Sequence, residues 1–278
     1  MQTLNAVAQV ANNSTKSRLA IRGLSKTYGP IGAGHEVLKD ISFEVHEGEF
    51  VCLVGPSGAG KTTLLRCLTG LMPATSGEIL LDGNVLTGPN SKISVVFQEY
   101  TRSLMPWMTA EKNVALALYN LKLSSAEETR RCRAALASVG LAGSEARYPW
   151  QLSGGMQQRV AIARALVTEP EVLIMDEPFA SIDAQTKMEL EDLTLSLQRS
   201  RAMTVVLVTH DIDESVYLSD RVVVLSKNPA SVQEIVSVDL GAQRDQLTTR
   251  ESHRFGELRS HILGLIRKSQ LQPQPGEG

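Results

Sequence analysis

No stretch of this 278-residue sequence approaches the run of about 18 apolar residues that a membrane-spanning helix needs. The chain therefore does not cross a bilayer alone, and any work in transport requires a partner that supplies the pore. Net charge is equally scarce. At −2, with an isoelectric point near 6.2, no global field draws the chain to nucleic acid or anionic lipid. Cysteine is limited to Cys52, Cys67 and Cys132. An odd count without paired spacing argues against a disulfide framework and fits buried free thiols in a reducing compartment. The first 18 residues lack a continuous apolar stretch after a basic start, so they make a poor signal peptide. Their Asn, Ser, Ala and Gln content predicts a flexible tail over 1–17, and Gln-Pro-Gln-Pro-Gly-Glu-Gly predicts another over 269–278. No internal repeat is visible.

What is present is an alternation of strands and helices on a length that suits one large domain. Ile41, Phe43 and Val45 alternate with polar residues, the mark of a half-buried strand, and Leu19–Leu24 reads as its neighbour. Phe50–Val54 is continuously apolar, as a strand buried on both faces should be. A helix is predicted from about Lys61 to Gly70, with Pro73 just beyond. Ile79–Leu81 and Ile93–Phe97 read as short strands. From about 99 to 159 helical signals dominate, around Thr109–Leu121 and Ser125–Val139, so this reads as a helical insertion. Strands return at Val172–Met175, Val205–Val208 and Arg221–Leu225. The pattern predicts an α/β fold with a largely parallel sheet and a small antiparallel layer. Phe255, Leu258, Ile262 and Leu265 recur at helical spacing and predict an amphipathic helix, about 250–268, packed on the body.

Between the Phe50–Val54 strand and the predicted helix lie Gly55, Pro56, Ser57, Gly58, Ala59 and Gly60, then Lys61, Thr62 and Thr63. This is the phosphate-loop pattern in the context that gives it meaning. Glycines permit positive φ and close backbone approach, so consecutive N–H groups turn inward on phosphate oxygens, reinforced by the positive end of the helix. Lys61 is placed to reach the β- and γ-phosphates, and the Thr62 hydroxyl suits a Mg²⁺ ligand. Gly29-Pro-Ile-Gly-Ala-Gly34 is also glycine-rich, but no Lys-Thr follows, and it reads as an ordinary loop. Downstream, Asp176 ends an apolar strand, where a carboxylate can hold Mg²⁺ facing the loop, and Glu177 is placed to orient or deprotonate an attacking water.

Between these two motifs stands Leu152-Ser-Gly-Gly-Met156. With Gln98, Ser181-Ile-Asp183 and His210 in this order, the chain resembles the nucleotide-binding subunits of ABC transporters over roughly residues 18–265. The resemblance implies a RecA-like phosphate-loop core, ATP as substrate, Mg²⁺ as cofactor, and a homodimer. It implies further roles residue by residue. Tyr28 matches the aromatic that stacks on adenine, the other reading being an ordinary strand-end tyrosine. Gln98 matches the glutamine that touches Mg²⁺ and water. Ser153, Gly154 and Gly155 match the signature that contacts the γ-phosphate bound to the opposite subunit; alone they would read as a helix cap. Asp183 matches the acidic residue of a loop crossing the dimer interface, or else it is a helix N-cap. His210 matches the histidine that bonds the γ-phosphate and helps hold Glu177. Met156 departs from the glutamine common in the family and receives no binding role.

Phe97–Thr109, with its Leu-Met-Pro-Trp-Met-Thr stretch, resembles the nitrate, sulfonate and taurine importer group, as does Ser237-Val-Asp-Leu240. Aromatics in Tyr100–Trp107 fit either a partner anchor or local packing. This implies an importer subunit on the cytoplasmic face of a bacterial inner membrane. Its partners would be permease subunits and, indirectly, a periplasmic binding protein, with aliphatic sulfonates the favoured cargo. Two other readings remain open at this point: a soluble ABC-type ATPase acting on nucleic acid or ribosomes, and a phosphate-loop kinase or GTPase.

Overall fold

The two faces of one sheet bury most of the apolar side chains in the computed structural model, which describes residues 16–30, 34–98, 103–180 and 182–271. In chain order the elements begin with β1 (Ser17–Tyr28), β2 (His35–His46), β3 (Phe50–Val54), α1 (Lys61–Leu68), β4 (Ser76–Leu81), β5 (Asn84–Val85) and β6 (Ile93–Val96). A helical stretch follows: α2 (Ala110–Ala115), a 3₁₀ helix (Leu116–Leu121), α3 (Ser125–Ser138) and α4 (Gly154–Leu166). The chain then returns to β7 (Val172–Asp176), α5 (Ala184–Arg201), β8 (Thr204–Val208), α6 (Ile212–Leu218), β9 (Arg221–Leu225), β10 (Val232–Ser237), α7 (Thr248–Glu251) and α8 (His253–Leu271).

The main sheet has the order β10-β9-β3-β8-β7-β6. The five strands from β9 to β6 are parallel, and β10 pairs antiparallel at one edge. Strict alternation divides their side chains. Phe50, Cys52, Val54, Leu173, Met175, Val205 and Leu207 join the core shared with the helical stretch. Val51, Leu53, Val172, Ile174, Val206 and Val208 join the core shared with α1 and the second sheet. That explains why these strands read as unbroken apolar runs: both faces are covered. The second sheet is antiparallel, in the order β2-β1-β4-β5, and contributes Ile41, Phe43 and Val45 from one face of β2.

The sheet order has a functional consequence. β3, β8, β7 and β6 lie side by side and run the same way. The segments that follow them therefore emerge at one edge: the phosphate loop, Thr209-His210, Asp176-Glu177 and Gln98. The carboxyl edge of such a sheet is where open α/β folds bind ligands.

Most expectations of secondary structure are met, with shifted ends. β1 begins at Ser17, and α4 runs on to Leu166. The Thr109–Leu121 stretch is a short α-helix continued as 3₁₀. The three cysteines are free and buried. α8 buries Phe255, Leu258, Ile262 and Leu265 against the body. The tails expected over 1–17 and 269–278 are shorter than that at their inner ends, because Ser17 pairs in β1 and 269–271 continue α8, with Ser269 buried. Residues 1–15 and 272–278 lie outside the described residues, as do 31–33 in the β1–β2 loop and 99–102 after Gln98. Sequence reasoning passed over β10 and α5. β10 is a half-buried edge strand, and α5 buries Glu191, Thr194 and Gln198 among its leucines, which blurs its apolar stripe.

Candidate nucleotide site

The phosphate loop is built on glycines that nothing else replaces. Gly58 and Gly60 have φ of 77° and 68°, in the left-handed region. A Cβ on Gly60 would also sit 2.8 Å from Val37 Cγ1. α1 starts directly from this turn, with no side-chain cap on its first N–H groups, which leaves them available to an anion. Lys61 is only 8% exposed. Its Nζ donates to the Gly55 and Pro56 carbonyls at 2.9 and 3.0 Å, which folds the side chain back over the loop. Burial lowers its pKa, opposed by the charges of Glu177 and Asp176. Asp176 is buried at the end of β7, and burial and Glu177 raise its pKa against the pull of Lys61 and Arg66. Thr62 is exposed beside Lys61 and Thr63 half-buried.

Glu177 is the hub of the strand ends. Its backbone N–H donates to the Val208 carbonyl at 2.8 Å, so its position is tied to the end of β8. Its φ of 42° is unusual for a residue with a side chain. One carboxylate oxygen, Oε2, accepts from Gln98 Nε2 at 3.0 Å and lies 3.1 Å from His210 Nδ1. Three residues separated by up to 112 positions in the chain (His210 minus Gln98) thus meet at one oxygen. This is the arrangement needed to orient a carboxylate toward a water. Tyr28 is 40% exposed at the end of β1. Its hydroxyl lies 3.3 Å from Thr63 Oγ1 and donates to Met72 Sδ at 3.1 Å, so the ring stands beside the phosphate-loop helix.

The remaining site candidates lie on helices. Ser153 caps α4, its Oγ accepting from the Met156 N–H at 3.3 Å, and Ser153 and Gly154 are exposed. Gly155 is buried: a Cβ there would lie 2.3 Å from Thr186 Cγ2 of α5. Asp183 caps α5, with Oδ1 accepting from the Thr186 N–H at 3.0 Å, and this bonding lowers its pKa. Both helix starts are therefore joined through Thr186. Trp107, of the proposed partner-facing stretch, is 68% exposed.

The donor set also fits Mg²⁺. Among the described residues no three His, Cys, Asp or Glu side chains are grouped to cage a metal. One carboxylate (Asp176), one hydroxyl (Thr62) and one amide (Gln98) are hard oxygen donors, too few for an all-protein cage and suited to an ion shared with phosphates. Sequence reasoning missed Thr209, Glu214 and Lys187, which surround the backbone of His210. The acidic run after His210 was the available signal.

Comparisons with known proteins identify the family. Residues 38–180 match the family model described as ABC transporter. An uncharacterized ABC transporter ATP-binding protein of Methanocaldococcus jannaschii is 46% identical over 92% of this chain and 94% of its own. A bicarbonate transport ATP-binding protein of Synechocystis is 39% identical over 96% of each chain. An aliphatic sulfonates import ATP-binding protein of Bacillus licheniformis is 41% identical over 88% and 92%. A dimeric ATP-binding cassette solved with ADP and Pi superposes with a TM-score of 0.69 at 32% identity, covering 79% of this chain and 98% of that one. Among the described residues no helix is long and apolar enough to cross a membrane. The chain belongs to the ABC transporter family, as an ATP-hydrolysing cassette of that family.

Proposed function

We propose that the chain powers a membrane importer of a small anion, with an aliphatic sulfonate as the favoured cargo. The observation that carries the catalytic part is the convergence of Gln98 and His210 on Glu177 Oε2, at 3.0 and 3.1 Å. In this reading Gly55–Thr63 wraps the phosphates and Tyr28 stacks on the adenine. Lys61 leaves its two loop carbonyls for the β- and γ-phosphates. Thr62, Asp176 and Gln98 would hold Mg²⁺, which supplies positive charge to the phosphate oxygens when bound. Glu177 takes a proton from the attacking water while His210 holds the carboxylate and bonds the γ-phosphate. Catalysis is mainly positioning and electrostatics.

Ser153, Gly154 and Gly155 complete the site from a second copy. An exposed serine hydroxyl, a bare glycine backbone and a helix N-terminus together suit a phosphate. Asp183 belongs to the same interface in this reading. Permease subunits would take the force of closure, with the chain peripheral on the cytoplasmic face and a periplasmic binding protein reached only through them. The cargo rests on the relatives, which are named for bicarbonate and aliphatic sulfonates. Both are small anions.

Glu177→Gln tests the reading. It keeps size and the Gln98 contact but removes the base. Binding of ATP should persist, turnover should fall by about 100-fold or more, and the same variant should block sulfonate uptake in cells. Normal hydrolysis by the variant would remove Glu177 from the mechanism.

A further inference from the structure

Lys187 and Glu214 lie outside the roles assigned above, yet they enclose the backbone of His210. The His210 side chain is 63% exposed, and its contact with the site is the one to Glu177. A ring so open depends on the residues on either side of it for its position. Thr209 is buried. Its N–H donates to the Leu53 carbonyl at 3.1 Å. Its Oγ1 donates to Glu214 Oε2 and accepts from the Asp211 N–H, both at 3.0 Å. Asp211 caps α6 by accepting the Glu214 N–H at 3.1 Å. The other Asp211 oxygen accepts from Lys187 Nζ at 2.6 Å, and the same ammonium lies 3.3 Å from Glu214 Oε2.

One ammonium therefore ties both neighbours of His210 to α5, one turn in from Asp183. Its far side faces a third carboxylate. Glu191 Oε1 is 4.0 Å from Lys187 Nζ, while Glu191 Oε2 accepts from Arg250 at 2.6 Å and from Gln246 at 3.1 Å. Glu191 and Glu214 are both almost wholly buried. Burying such a cluster costs more than packing apolar groups of the same shape, so stability alone does not explain it. What it provides is a fixed place for the Thr209–Asp211 segment.

From this geometry we infer that Lys187 and Glu214 are positioning residues for His210, holding its backbone in register with Glu177 through Thr209 and Asp211. The inference rests on the proposed role of His210. In the full-length chain with Mg²⁺-ATP, Lys187→Met should lower kcat about 10-fold and leave KM nearly unchanged, as misplacement of a reacting group does. Lys187→Arg should restore most of the rate, and in a His210→Ala background Lys187→Met should cost nothing further. Thr209→Val removes the bridging hydroxyl without unpairing a buried charge. It should reproduce the loss and its non-additivity if Lys187→Met fails to fold. If His210→Ala is slow but both variants turn over normally, act on KM alone, or multiply with His210→Ala, the positioning inference falls by itself. If His210→Ala hydrolyses ATP at the normal rate, the proposed role of His210 falls and this inference with it.

Discussion

The two halves of the proposed site are built differently. The half at the strand ends is a converged cluster: Lys61, Gln98, Asp176, Glu177 and His210 come from four adjacent parallel strands, and Glu177 Oε2 gathers two of them. The half at Ser153–Gly155 has no such company. Its serine caps its own helix, its first glycine is bare, and its second is pressed on Thr186. One half carries buried charges with shifted pKa values; the other offers only backbone, a hydroxyl and a helix end. In the proposed reading, the contrast explains why a single copy would be chemically incomplete. The half proposed to hold base and cation sits at the ends of the main sheet, and the half that would close over the phosphate belongs to a helical stretch, with Ser153 and Gly154 exposed.

The comparison says which half responds to pH. Burial pushes the Glu214 carboxyl up to about 7 from an ordinary value of 4.5, Lys187 pulling against it and Glu191 and Asp211 adding to it. Between these values the folded chain holds a proton that the unfolded chain has lost. Stability therefore falls as pH rises from about 4.5 to about 7 and stays lower above it, by up to about 3 kcal/mol for this group. Glu214→Gln should flatten that slope in denaturant titrations run across the window. Ser153→Ala should leave the slope unchanged. Equal slopes in the wild type and Glu214→Gln would break the contrast.

A smaller effect sharpens the other half. Gly155→Ala should destabilise the chain by about 2 kcal/mol, because the new methyl meets Thr186 Cγ2. Thr186→Ala, which removes that methyl, should recover most of the loss in the double variant. If Gly155→Ala alone is neutral by thermal melting, the glycine serves only the phosphate and not the packing of α4 on α5.

Much of the strand-end half was legible in the sequence because its signals are local. A phosphate loop needs consecutive positions, and each carboxylate or amide proposed for the site follows or ends a short apolar strand. β3, β7 and β8 are buried on both faces and read as continuous runs. The parts that escaped depend on long-range packing. Lys187 meets Asp211 across 24 positions and Arg250 meets Glu191 across 59, and no spacing rule links them. α5 hides its core face behind buried polar side chains, and β10 is a half-buried edge strand with little alternation. Gly155 has an observed reason, the Thr186 contact, beside the proposed phosphate contact, and the family resemblance suggested only the latter. Asp183 likewise turned out to cap a helix, which leaves its interface role as a proposal.

The most direct test of the two-copy site is complementation between two inactive chains. Lys61→Ala disables the phosphate loop and keeps the signature; Ser153→Glu places a negative charge in the signature and keeps the loop. In a face-to-face dimer each mixed pair then contains one intact composite site. Equal mixing should restore ATP hydrolysis to at most about a quarter of the wild-type rate, since half the dimers are mixed and each has one good site of two. Hydrolysis that stays at the level of the separate variants, while the mixed dimers form, would contradict a site shared between copies.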